Sequence, residues 1–144
     1  MPKRIIHIVL DVLALLLLLG TIVFLIVSWT HIPDTVPTHF NAKGGIDGWG
    51  GKASLLMLPA VGVVLYVVLS LSKTLRFRSP GKEVRFSAPE LMFPSLKLAL
   101  SAGFAYMTVC GAKARPLGMW YMPVFLALIF LPIVVFAVLM LRRR

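Results

Sequence analysis

The sequence predicts an all-α membrane protein: four transmembrane helices in a bundle, with an ordered loop between the first two. Three observations carry this. Of the 144 residues, 59% are hydrophobic and 14% are charged, against roughly a quarter charged in soluble domains. The mean hydropathy is +0.93. Four apolar runs fall at about 5–29, 54–72, 91–112 and 120–141. Each approaches the about 20 residues with which a helix crosses a ~30 Å hydrocarbon layer. The chain length leaves room for one membrane domain over 1–144 and no separate soluble one.

The first run follows Lys3 and Arg4 but is too long for the apolar core of a leader and lacks a small-residue cleavage site. It is read as a retained helix. His7 and Asp11 lie four residues apart on one of its faces. Lys97 enters the third run from the same end, about six residues in, as Asp11 does in the first. A charge at depth is costly alone, so Asp11, Lys97 and His7 are expected to form a structural ion pair or hydrogen-bonded group. A proton relay through His7 and Asp11 is the alternative, but no matching acid occurs in the other half of any span.

Pro59 and Pro132 lie inside the second and fourth runs and are expected to bend them. Pro123 sits near the start of the fourth, where proline costs little. In the third run Ser95, Ala99 and Gly103 recur every four residues, with Ser101 and Ala105 offset. Small residues at that spacing let helix backbones approach closely in lipid, so this helix is expected at the centre of the bundle or at a dimer contact. Cys110 is the single cysteine, which excludes an intrachain disulfide; in an apolar run it reads as a packing residue.

The net charge of +10 does not form a nucleic-acid face, because the basic residues punctuate the ends of apolar runs. Ten fall on one side: Lys3, Arg4, Lys73, Arg76, Arg78, Lys82, Arg85 and Arg142 to Arg144. Four fall on the other: Lys43, Lys52, Lys113 and Arg115. The richer side is expected to be cytoplasmic, with both termini inside and the 30–53 loop outside. Trp29, Trp49, Trp120 and Tyr121 then fall near the outer interface as an aromatic belt. The basic loop from Lys73 to Glu90 reads as an orientation signal drawn to anionic lipid, with Phe77 and Phe86 at the interface.

The 30–53 loop holds two of the three histidines and two of the five acids. Loops presented by a rigid scaffold commonly carry function. Pro33 and Pro37 stiffen its start, and Gly44, Gly45, Gly48, Gly50 and Gly51 allow tight turns. Phe40, Ile46 and Trp49 are expected to fold back onto the bundle. Three readings stay open. The loop is a self-packed cap held by its own polar network. Or Asp34, His39, Asn41 and Asp47 bind a peptide or small ligand, with Asp34 and Asn41 structural and His39 and Asp47 closer to the ligand. Or His39 and Asp47 contribute to a divalent-metal site, although the spacing is not that of a strong metal motif. No cofactor is expected. Zinc-protease, nucleophile-elbow and phosphate-loop motifs are absent from the sequence, so no enzyme is expected either.

The run from Pro33 to Trp49 reads P-D-x-x-P-x-H-F-N-x-x-G-x-x-D-x-W, with Gly44 in the glycine place. It resembles the signature of a bacterial and archaeal membrane family, the N-terminal domain of unknown function of SdpI-like proteins. The resemblance covers residues 32–49 and fits the flanking helices. It implies a multi-pass protein of the plasma membrane of a bacterium or archaeon. Immunity members of that family act against a secreted peptide toxin and signal to a repressor. This chain resembles a short form, without the further membrane domain. The implied partners are membrane lipid, a peptide toxin or small ligand at the outer face, and a cytoplasmic regulator, with no nucleic acid. The expected function is binding or sensing at the outer face, in toxin immunity or envelope signalling. A small transporter, or an accessory subunit of a membrane complex, is the alternative. A transporter needs polar residues through the depth of the membrane, and these spans carry few.

Overall fold

The computed structural model describes residues 2–71 and 91–141. The expectations for Lys73 to Glu90 and for Arg142 to Arg144 lie outside those residues. Four long helices form: α1 (Pro2–Ser28), α2 (Met57–Leu71), α3 (Met92–Ala112) and α4 (Tyr121–Leu141). All four sequence runs are therefore helical, and all four spans are long and apolar enough to cross a membrane.

The chain is not all-α. Between α1 and α2 it forms an antiparallel hairpin, β1 (Thr35–Phe40) and β2 (Ile46–Gly51), flanked by 3-10 turns at Trp29–His31 and Lys52–Leu56. The glycines and prolines conceal the strand signal, because the pairing is irregular, with register shifts around His39. Pro37 is tolerated because it faces Trp49 in a position whose amide points away from the ladder. That placement follows from Lys52 N–H donating to Asp34 O (2.9 Å). With this bond, Thr35/Gly51 is a non-hydrogen-bonded pair, Val36/Gly50 a bonded one and Pro37/Trp49 again a non-bonded one.

α3 is the central helix. Half of its apolar window is buried, against 22% for α1, 17% for α2 and none for α4. The small-residue stripe works inside the molecule. A Cβ on Gly103 would fall into the Phe125 ring of α4, and Ala99 is buried. On α2, a Cβ at Gly62 would meet Leu18 Cδ2 of α1 at 2.7 Å. An aromatic stack fastens α4 to α3. The rings of Tyr106 and Tyr121 lie 5.2 Å apart and those of Tyr121 and Phe125 5.5 Å apart. Tyr121 O–H also donates to Gly103 O (2.9 Å).

Pro59 lies at the start of its helix and not in its interior. α2 starts at Met57, so Pro59 stands in the first turn, where backbone amides have no intrahelical acceptor. Pro132 does lie inside α4. Cys110 is buried, as a packing residue should be.

The inward charges meet. Lys97 Nζ lies 2.6 Å from Asp11 Oδ1, donates to Ser70 Oγ at 3.2 Å and sits 4.7 Å from the centre of the Tyr66 ring. Tyr66 O–H donates to Asp11 O (3.2 Å). One ammonium thus joins α1, α2 and α3, with its side chain 1% exposed.

Candidate functional site

The hairpin is fixed to the bundle from below. Val36 is fully buried and packs with Leu25, Ile32, Leu55 and Ala112. The approach is close because α3 ends on small residues: a Cβ at Gly111 would meet Leu55 Cδ2 at 2.7 Å. The three apolar loop residues expected to fold back onto the bundle do not all do so. Phe40 and Ile46 are half-buried and Trp49 is exposed, because β2 is the outer strand. Trp29 packs beside the core, with Lys52 Nζ 5.5 Å from its ring centre.

The turn is held by Asn41. Its Oδ1 accepts from the amides of Lys43 (2.9 Å) and Gly45 (3.0 Å). Its own amide donates to Gly45 O, and its carbonyl accepts from Gly44 N–H, both at 2.8 Å. Gly44 adopts φ +75°, the left-handed region that closes such turns. The connection between α3 and α4 clasps this tip: Leu117 N–H donates to Gly44 O (2.8 Å). At the hairpin base Asp34 pairs with Lys52 Nζ (2.9 Å), and that hydrogen bond and charge hold the Asp34 carboxyl below its ordinary range.

The structure therefore divides the four sequence candidates. Asp34 and Asn41 serve the hairpin itself. His39 and Asp47 pair with each other on its surface, Nδ1 to Oδ1 2.5 Å, with side chains 74% and 40% exposed. A carboxylate accepts, so the imidazole donates to it through Nδ1–H, and Nε2 takes no part in this pair. Gly48 makes the pair possible, since a Cβ there would meet His39 Cβ at 2.8 Å. Among the described residues no three His, Cys, Asp or Glu side chains group as metal ligands would. Asp11, Lys97 and His7 do not join this site; Asp11 and Lys97 meet in the helical bundle. Sequence reasoning missed Leu117, because nothing in a short connection signals which turn it will touch.

A helical protein of membrane-spanning dimensions carrying a small hairpin with an exposed imidazole–carboxylate pair is the class this architecture defines. Within it, residues 16–63 match a family described as a domain of unknown function (DUF1648). The match includes the whole hairpin and all four loop candidates. An uncharacterised protein of Archaeoglobus fulgidus is 38% identical over 52 residues, 36% of this chain. The match spans only 28% of that archaeal protein's length. No solved structure matches the chain.

Proposed function

We propose that this is a cell-membrane protein of a bacterium or archaeon that binds or senses a ligand through the hairpin. In this reading the hairpin faces outward and both termini are cytoplasmic. The observation that carries it is the His39–Asp47 pair. Its geometry is set by a hairpin fixed at base, tip and underside, while the imidazole stays exposed. A preorganised group held on a rigid scaffold is what recognition requires. The reading favours binding over catalysis. The resemblance to SdpI-like proteins supports a role in toxin immunity or envelope signalling, with a secreted peptide or small molecule as the proposed ligand.

Two experiments test this. Melting curves and a cell assay on four alanine variants separate structural from recognition residues. Asn41→Ala should lower stability by about 1–3 kcal/mol, because it strips the turn amides of their acceptor. Asp34→Ala should change it less, since its ion pair is at the surface. His39→Ala and Asp47→Ala should melt near wild type, yet lose protection against conditioned medium of the source organism. Unfolding of both His39 and Asp47 variants would reduce the hairpin to a cap and end the proposal. Orientation is tested separately. A reporter inserted near Lys43 should score as external, and one fused after Arg144 as cytoplasmic, from the asymmetry of basic residues. An external C-terminus would invert the scheme.

A further inference from the structure

The hairpin is a two-stranded sheet, and its two outer edges differ. β1 sits against the bundle, with Val36 and Pro37 buried. No residue of β2 is buried, and among the described residues no strand other than β1 pairs with it. The ladder alternation derived above turns the backbone groups of Trp49 and Gly51 away from β1. Gly51 O accepts from Ser54 Oγ (2.8 Å). That leaves the Trp49 N–H, the Trp49 C=O and the Gly51 N–H along the edge. Unpaired edges of this kind are templates for another strand.

Gly51 adds a second observation. Its φ is −68°, which any residue adopts, and a Cβ built on it meets nothing within 4 Å. Neither backbone strain nor packing within the chain calls for glycine there. Glycine in a strand commonly marks a place where another backbone comes close. Gly48 and Gly50 are different, since a Cβ on either would press on β1, at 2.8 Å from His39 Cβ and 2.7 Å from Thr38 Cγ2. The exposed indole of Trp49 offers a side chain of the incoming strand an apolar surface beside the edge.

We propose that the outer edge of β2, at Trp49 and Gly51, takes an extended peptide as a third strand of the hairpin. The occupant is a peptide because the edge offers alternating backbone donors and an acceptor. A second peptide backbone matches these group for group. Residues 48–51 carry no charge, so the backbone supplies affinity while Trp49 and the nearby His39–Asp47 pair select side chains. The inference rests on the binding reading above and names the ligand class for that site.

The test uses the full chain in detergent and an octapeptide phage-display library. Selection should enrich peptides, and the enriched peptide should protect the Trp49 and Gly51 amides from hydrogen exchange. Methylating the amide nitrogens of one alternate set of peptide residues should abolish binding, while methylating the other set should spare it. Gly51→Pro suits the native φ and removes one outward donor. It should weaken binding about tenfold, the worth of roughly one hydrogen bond, and Gly51→Ala, which puts a Cβ where the incoming backbone comes close, should weaken binding too while melting as wild type does. Failure to enrich any peptide, equal effects of the two methylation patterns, or unchanged binding by Gly51→Pro would each overturn strand addition. If binding survives Gly51→Pro but is lost in His39→Ala, the recognition pair stands and strand addition falls. A peptide-excluding dimer abolished by Gly51→Pro would instead make a second copy the occupant and overturn the proposal.

Discussion

Lys97→Met should destabilise the protein by about 3–5 kcal/mol, the usual result of stripping a buried ion pair of one partner. The Lys97 side chain is 1% exposed, and its ammonium touches three helices through Asp11, Ser70 and Tyr66. Removing it takes the Lys97 ammonium away from the Asp11 carboxylate in the bundle. Asp11→Asn alone should cost less, because that side chain is 26% exposed and the amide still offers an oxygen to the ammonium. The double variant should recover part of the Lys97→Met loss. Unfolding free energies in detergent would give the coupling between the two sites. Simple additivity would mean that Lys97 is held by Ser70 and Tyr66 and that Asp11 is incidental.

Gly44→Ala should release the hairpin tip. The residue has φ +75°, which costs a residue with a Cβ about 1–2 kcal/mol. The Cβ would also collide with the backbone of Gly118, which no rotamer change relieves. The Leu117–Gly44 hydrogen bond would therefore break together with the turn. Hydrogen exchange at the Leu117 amide should rise sharply while α1 and α3 amides change little. Equal exchange in variant and wild type would show that the clasp contributes nothing to the tip.

The helices were legible in the sequence because lipid solubility demands long apolar runs, and those runs are easy to see. The charged pair was legible for the same reason, since a lysine and an aspartate at equal depth have few other options. The hairpin was not. Its inner strand contains Pro37 and its outer strand four consecutive residues, Gly48 to Gly51, of which three are glycine. Neither has the β-branched alternation of an ordinary strand. Its strands are set by tertiary contact, with Val36 over Leu55 and Ala112, and by a turn whose asparagine looked equally suited to a loop. That the Asn41 side chain would satisfy nearby backbone amides was anticipated from position. The clasp by Leu117 was not, because it depends on where α3 ends.

The way α4 is fastened has a mechanical side. Tyr121, Phe125, Ile129, Pro132 and Phe136 form its half-buried stripe, but the hydrogen bond and the ring stack that tie it to α3 lie in its first two turns. Among the described residues α4 is thus a cantilever, clamped beside the hairpin tip and held by apolar contact alone toward Leu141. Over a length of about 31 Å, a rotation of about 5° at the clamp moves the far end by roughly 3 Å. Spin-label order should fall from Tyr121 to Leu139; a flat profile would mean that both ends are clamped alike. Force applied at the tip would then be felt as displacement on the opposite side of the membrane.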